Sequence, residues 1–506
     1  MGIETARAIF AIPPFPGATP FPVVRAKAAS AGTSPPAVAP ATIIAALRAR
    51  RIGGPFWLVP ERQTNELRLD ADDPMALLAA IRGERVSAHG DGPYAVLSGL
   101  EIGEPTAEAL LESLVQRDLL DDVSYHSPFT GNVINVLELI EIFGNWRTLI
   151  VANRLIAAAF GFAHWKRDTV EPQLWGGHHV PFHPANGNVL RTLPGQASIA
   201  VWKARVPTSF LASLEEGSRT VLEVEDGFIR SAGLGADCIP PLSIVVDDLG
   251  VHYDPGRPNR LEEMLARGGF SPADLDRARQ LREWLVREGV SKYGIGAGKA
   301  LERGDQHKRH LLVVGQVEDD RSVQFGCSEI RSNLALLRSV RALEPDAWII
   351  YRPHPDVEAG HRRGAIPRRA ALELADAIDA KSAIGALIDL VDEVHVMTSL
   401  AGFEALLRGK AVTTHGTPFF AGWGLTHDLA PVPPRRGVAR TLDELVVATL
   451  LLYPRYLDPV TNLPCPAEIM ILRLLTGNRR RNGALVPLRQ FFGWLKRAGQ
   501  RLLDMR

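Results

Sequence analysis

Two carboxylates stand side by side at the end of a β-rich run in the string Glu223-Val224-Glu225-Asp226-Gly227-Phe228-Ile229-Arg230-Ser231. Adjacent carboxylates repel, so one carries a raised pKa while the other stays charged, and a pair split in this way suits a base or a nucleophile. Gly227 lets the backbone turn sharply, so Asp226 projects beyond the carboxyl end of the strand, where ligands of open α/β sheets bind. A solvated strand-end turn whose acids cap a following helix has the same spacing. Arg230 and Ser231 close the string as the expected substrate-binding residues.

Three further strings follow strand-like runs. In Tyr351-Arg352-Pro353-His354-Pro355-Asp356 two prolines fix the backbone around a histidine. Arg352 supplies charge and His354 a donor or a proton, the pair a phosphate needs; a turn with a surface histidine is the plainer alternative. In Met397-Thr398-Ser399-Leu400 a strand gives way to a helix. Ser399 is a good N-cap, the free N–H groups there favour an anion, and Glu404 one turn on can accept from ribose hydroxyls. Simple capping without a ligand fits this string as well. Gly315-Gln316 open a polar strand-end loop suited to a nucleotide base or sugar. Asp319 and Asp320 in that loop lack a third ligand at convincing spacing, so no metal is expected. His178, His179 and His183 are likewise read as loop or substrate-facing histidines rather than zinc ligands.

Positioning these strings calls for short apolar strands alternating with helices. Strands are expected at 158–162, 198–202, 220–224, 242–246, 310–314, 347–351, 393–397 and 411–414. Helices are expected at 272–288, 328–343, 369–380, 400–408 and 442–452. The alternation argues parallel, doubly wound sheets: an α/β chain with two halves facing a cleft. The expected segments are a Pro/Ala-rich, poorly ordered arm at 1–41, a partial α/β unit at 42–150, a first α/β half at 151–304, a second at 305–475 and a basic tail at 476–506. The partial unit rests on an internal echo. Arg82-Gly83 through His89-Gly90 matches Arg408-Gly409 through His415-Gly416 in spacing, and Tyr125-x-x-Pro128-x-Thr130 matches Tyr456-x-x-Pro459-x-Thr461. Two similar βα units arrived at independently would look the same.

The 506 residues carry 57 basic and 57 acidic side chains, so no global charge points to nucleic acid. A 46% hydrophobic share excludes wholesale disorder. Cys238, Cys327 and Cys465 are too few and too scattered for a disulfide framework and fit a reducing compartment. Prolines 13, 14, 16 and 20 break the start before any secretory apolar run forms, and no stretch is long enough to span a bilayer. A cytoplasmic protein is expected. The tail interleaves Arg479, Arg480, Arg481, Lys496 and Arg497 with Phe491, Phe492 and Trp494, the pattern of a helix lying on a membrane surface; a helix docked on the protein body has that pattern too.

As a set, Glu225-Asp226-Gly227-Phe228-Ile229-Arg230-Ser231, Pro240-Pro241-Leu242-Ser243, Arg352-Pro353-His354-Pro355, Ser399-Leu400-Ala401-Gly402-Phe403-Glu404-Ala405 and Phe419-Phe420-Ala421-Gly422-Trp423-Gly424 resemble the bacterial capsule polysaccharide β-Kdo transferases over about 149–475. Those enzymes build a Kdo linker on phosphatidylglycerol and often carry two transferase modules; this chain reads as one complete module plus the end of another. The resemblance implies a GT-B-like fold, with CMP-Kdo as donor substrate, no cofactor and no metal. The motifs are also similar to the CMP-binding motifs of sialyltransferases. Carried over, Asp226 is the catalytic carboxylate, with Glu225 beside it, acting as nucleophile if configuration is retained. His354 contacts the donor phosphate, Thr398 and Ser399 bind it, and Glu404 holds the ribose; Arg352 joins them on charge. The implied partners are a lipid-linked saccharide acceptor, the membrane surface and other capsule assembly proteins. A UDP-sugar enzyme and a non-catalytic capsule assembly or export partner are the alternatives.

Overall fold

The computed structural model describes residues 2–27, 36, 38–58, 66–101, 103–215, 219–231, 239–291, 294–295, 302–360 and 362–477. The expected basic tail lies outside them from 478 onward, as does Cys238. The chain forms two compact units, one of 1–156, 171–181 and 457–465, the other of 157–170, 182–456 and 466 onward.

The larger unit holds both halves of the expected cleft. Its second half is a six-stranded, all-parallel sheet. The central strand His310–Val314 has Leu311, Leu312 and Val313 fully buried, as a strand covered on both faces must be. Trp348–Arg352 and Ala377–Ile378 lie to one side of it, and Glu393–Val396, Ala411–Thr414 and His427–Asp428 to the other. This is the 3-2-1-4-5-6 order of dinucleotide-binding folds, with its switch point between the first and fourth strands. The helix Asn333–Leu343, capped by Ser332, lays Leu336, Leu337 and Val340 on the sheet.

The helix expected at 369–380 is shorter, Arg368–Leu372, and is followed by the strand Ala377–Ile378. Asp379 ends that strand by accepting the N–H groups of Lys381 and Ser382, a local turn that competes with helix.

The first half is mixed rather than parallel. Ser198–Val201 and Val221–Asp226 run parallel, but Ser243–Asp247 and Pro454–Leu457 add antiparallel strands. Among the described residues between Asp226 and Ser243 there is no crossover helix, and a direct return of the chain is antiparallel.

One face of the parallel sheet buries a polar cluster. His395 Nδ1 and His415 Nε2 are 3.1 Å apart, with Ser339 Oγ 3.3 Å from His415 Nδ1. Burial pushes both rings down to about 4, helped by Arg309 at His395 and by His395 at His415. The folded protein holds them neutral while the unfolded chain binds protons below its ordinary pKa of about 6.5. Their contribution is therefore present above pH 6.5 and is lost as pH falls toward 4, at up to about 1.4 kcal/mol per pH unit for each ring. Denaturant midpoints measured from pH 7 to pH 4.5 should fall accordingly, and the His395→Gln/His415→Gln variant should flatten that dependence.

In the smaller unit, residues 2–27 depart from the poorly ordered arm expected at 1–41, while 28–35 and 37 lie outside the described residues. Gly2–Ile9 is a helix with Thr5, Ala6 and Ile9 buried, and Val24–Ala26 pairs antiparallel with Val123–His126. The prolines bar helix only from Pro13 on; the residues before them carry their own apolar face. Phe10 meets Tyr125 and Phe143 edge-on, and Thr5 Oγ1 lies 2.8 Å from Tyr94 Oη, which donates to buried Asp118.

The sequence echo is also an echo of geometry. In each copy a helix runs through a wide π turn into a strand, and the tyrosine hydroxyl donates back to a turn carbonyl. Tyr125 reaches Leu119 and Tyr456 reaches Leu450, both at 2.8 Å. Six residues after each tyrosine, Gly131 (φ 73°) and Asn462 (φ 57°) take the left-handed conformation. Residues 457–465 belong to the smaller unit rather than to the half they follow in sequence. Asn462 Nδ2 donates to Pro16 O and Trp146 Nε1 to Pro464 O.

Candidate active site

A cleft of about 580 Å³ opens between the two halves of the larger unit. Glu225 and Asp226 reach it from the end of the strand Val221–Asp226. Gly315 and Gln316 follow the central parallel strand, Arg352 and His354 the second, and Thr398, Ser399 and Glu404 the fourth. Nine of the eleven residues expected from sequence thus line one cavity, because each string follows the carboxyl end of its strand.

At the acidic end, Asp226 is gripped from both sides. Lys166 Nζ donates to Oδ1 at 3.3 Å and Arg230 Nε to Oδ2 at 2.8 Å. Two cations favour the carboxylate form. Glu225 beside it receives the Tyr253 hydroxyl at 3.1 Å. Burial first, and repulsion from Asp226 second, push Glu225 up to about 8, so Glu225 is the member of the pair that holds a proton at neutral pH. Burial also raises the Tyr253 hydroxyl far above its ordinary range and pushes the Lys166 ammonium down to about 8.

Arg230 and Ser231 are corrected as substrate contacts. Each is 1% exposed and neither lines the cleft. The Arg230 guanidinium gives its donors to Asp226, Ser231 Oγ and Ile239 O, so it stands behind the acid.

At the opposite end, Gln316 bridges the switch point. Its Nε2 donates to Thr398 Oγ1 at 3.0 Å, and its Oε1 accepts the Thr398 N–H at 2.8 Å. Ser399 caps the helix Leu400–Leu407 through the Ala401 N–H. Arg352 is braced by the Asp379 carbonyl at 2.9 Å, and burial holds its pKa below the usual guanidinium range. His354 Nδ1 accepts the Asp356 N–H at 3.1 Å, which leaves the proton of the neutral ring on Nε2. Gly315 is required by contact: a Cβ there would stand 2.6 Å from Tyr351 Oη. The walls between the two ends are aromatic, with Phe228 against His252 and Phe419 at 4.8 and 4.5 Å.

Gly227 is the hinge of the acidic end. A Cβ on it would fall 2.1 Å from Ser243 Oγ, which donates to Ile229 O at 2.6 Å. Gly227→Ala is expected to lose about 1–3 kcal/mol of stability from overpacking and to displace Asp226. The check is a urea midpoint alongside turnover, and activity should fall further than stability alone explains.

Lys166 and Tyr253 escaped the sequence reading. Lys166 lies sixty positions before Asp226 in a stretch with no motif, and only the fold joins them. The three histidines are engaged elsewhere: His178 Nε2 with Ile156 O, His179 with Glu171, and His183 against the Phe160 ring. Asp320 caps the short helix Arg321–Gly326, and Asp319 pairs with Arg362. Among the described residues no group of three or more His, Cys, Asp or Glu side chains is placed to hold a metal ion.

The chain is similar to several known proteins. The capsule polysaccharide modification protein LipA of Neisseria meningitidis serogroup A is 37% identical over 368 residues, covering 71% of this chain and 51% of that protein. The lipopolysaccharide-processing protein LpsZ of Rhizobium meliloti is 44% identical over 249 residues, 49% of this chain and 56% of that protein. The chain thus spans about half the length of the curated relatives it matches. Among solved structures, Thermosulfurimonas dismutans KpsC, β-Kdo 2,7 transferase, superposes with a TM-score of 0.52 at 36% identity, over 64% of this chain and 99% of that one. KpsC, β-Kdo 2,4 transferase, of the same organism gives 0.55 at 29% identity, over 63% and 98%. The GT-B-like expectation is met by these neighbours. The family model described as capsule polysaccharide biosynthesis protein matches residues 198–456, a span that includes the described cleft residues from both halves. On that match the chain belongs to the capsule polysaccharide biosynthesis protein family.

Proposed function

We propose that this chain is a glycosyltransferase that moves Kdo from CMP-Kdo onto a lipid-linked Kdo acceptor. The observation that carries the reading is the division of the cleft. A cation-held carboxylate, Asp226, faces one end, and a donor-rich pocket of Gln316, Arg352, His354 and Ser399 forms the other. Likeness to two proteins described as β-Kdo transferases supports the sugar.

In this proposal Arg352, Thr398, Ser399 and the His354 Nε2–H receive the donor phosphate, and Glu404 the ribose. An ionised Asp226 suits attack better than proton abstraction, so it bonds to the anomeric carbon as the bond from that carbon to the phosphate oxygen breaks. CMP leaves with the electron pair, and His354 hydrogen-bonds the charge it gains. The acceptor hydroxyl then displaces Asp226, so configuration is retained; Glu225, no longer repelled by the Asp226 charge once that oxygen is bonded, gives its own proton to solvent and takes the hydroxyl's. No metal or cofactor is assigned a part.

No helix among the described residues is long and apolar enough to cross a membrane. A cytoplasmic enzyme resting on anionic lipid through its basic tail is part of the proposal, on sequence grounds alone.

The test has two parts. Thermal stabilisation by CMP should exceed that by UDP, and mass spectrometry should find one Kdo added to a synthetic Kdo–lipid when CMP-Kdo is generated in place. Stronger stabilisation by UDP would move the reading to a UDP-sugar enzyme; no stabilisation by any nucleotide would move it to a non-catalytic assembly partner.

A further inference from the structure

The short turn His164–Lys166 and the helix Arg167–Leu174 follow the strand Ile156–Phe160. They bury one lysine between aromatic rings and a carboxylate. The Lys166 side chain is 7% exposed. Its ammonium lies 3.2 Å from the centre of the Trp202 ring and 5.3 Å from that of Trp165. Its ion-pair partner is Asp226, at 3.3 Å. Burying an ammonium is costly unless it is paired, so a lysine that only filled this space would be better replaced by an apolar side chain. Resting on the reading of Asp226 as the attacking carboxylate, we propose that Lys166 is a positioning residue, which with Trp202 behind it holds Asp226 ionised and fixes the direction of its oxygens.

The two cations on Asp226 differ in what they could do. Arg230 is 1% exposed and is locked by Ser231 and the Ile239 carbonyl as well as by the acid. Lys166 bonds Oδ1 and otherwise meets aromatic faces. When Asp226 bonds to the anomeric carbon, its negative charge passes to the departing CMP, and Lys166 loses its counter-charge. The Trp202 face attracts a cation whatever the state of the acid, so the ammonium keeps one favourable neighbour throughout the cycle. Among the described residues, the charged and titratable groups around this centre include Lys166, Arg230 and Glu225, with Tyr253 and Arg321 acting on Glu225. Removing Lys166 therefore takes from Asp226 one of the cations that favour its charged form while Glu225 still repels it, and its protonation should move to higher pH.

Lys166→Met, Lys166→Arg and Trp202→Leu are compared with the parent chain. The Asp226 carboxyl is titrated by carbon NMR in aspartate-labelled protein, with Asp226→Asn identifying its signal. In Lys166→Met the midpoint should rise by about one pH unit or more, and in Lys166→Arg it should stay near the parent value. Where the parent transfers Kdo, the acid limb of kcat should move by the same amount in Lys166→Met, with kcat falling roughly 100-fold and KM for the donor changing little. Trp202→Leu should lower kcat in the same direction. An unmoved Asp226 midpoint in a folded Lys166→Met protein overturns the proposal, and so does a loss of donor KM with kcat intact. If the parent transfers no Kdo, it is the reading of the reaction that fails; the titration is still read, and decides on Lys166 by itself.

Discussion

Asp226→Asn is expected to lower Kdo transfer by on the order of 10⁴-fold while CMP still stabilises the protein. The substitution keeps the shape of the side chain and a hydrogen-bond acceptor, and removes the charge and the attacking oxygen. CMP binding should survive because the residues assigned to it lie on the other wall, on the carboxyl ends of the parallel strands. The variant also leaves Lys166 and Arg230 facing a neutral amide, so some stability is lost with the activity. CMP-dependent thermal stabilisation measured on the variant itself separates the two effects. If Asp226 is a nucleophile, the parent protein mixed with CMP-Kdo and no acceptor should gain the mass of one Kdo, lost in Asp226→Asn. Turnover within tenfold of the parent would falsify the assignment.

What the sequence disclosed and what it concealed follow one physical rule. Gly315-Gln316, Arg352 to His354 and Thr398 to Glu404 were legible because each is a contiguous string at the end of an apolar strand. A parallel sheet brings all such ends to one side. The same holds for Glu225 and Asp226. The strand His310–Val314 is legible because four apolar positions in a row, Leu311 to Val314, buried on both faces, have few other uses. Lys166 was hidden because its role is made by an approach across sixty positions, with nothing local to mark it. Arg230 was visible as a residue but misplaced in role, because a strand-end string does not say which side chains point into the cleft and which point behind it. The helix Gly2–Ile9 was obscured by the prolines that follow it: their effect is local, and was extended to residues they do not constrain. The repeated tyrosine motif shows the converse. Its two copies share a 2.8 Å hydroxyl-to-carbonyl bond at the same offset, so the spacing carried geometric content before any coordinates did.

Glu262→Ala should be among the most destabilising single changes in the protein, although Glu262 does not line the cleft. Arg436 is fully buried, and burial pulls its pKa below the usual guanidinium range, with Glu262 opposing that pull. Arg436 Nε donates to Glu262 Oε1 at 2.6 Å, while its Nη1 holds the Pro418 carbonyl at 2.6 Å. Arg435 takes the other Glu262 oxygen at 2.5 Å. Glu262 is itself 4% exposed, and its N–H is received by the capping side chain of Asn259. The three charges tie the helix Arg260–Arg267 to the loop that presents Phe419 to the cleft. Removing the carboxylate leaves a buried guanidinium without its counter-charge, a loss of about 3–5 kcal/mol. For a unit of this size that corresponds to a fall in Tm of roughly 5 °C. Glu262→Gln, which keeps an acceptor and loses the charge, should fall between the parent and Glu262→Ala. Adding Arg436→Met to Glu262→Ala should recover part of the loss, since two buried charges replaced by apolar volume cost less than one left unpaired. Because Pro418 and Phe419 line the donor cleft, Glu262→Ala should also weaken CMP stabilisation, and the double variant should not restore it: Met fills the space but gives the Pro418 carbonyl no donor. Equal thermal stability of parent and Glu262→Ala would show that the charges, although buried and bonded, are not what fixes this loop.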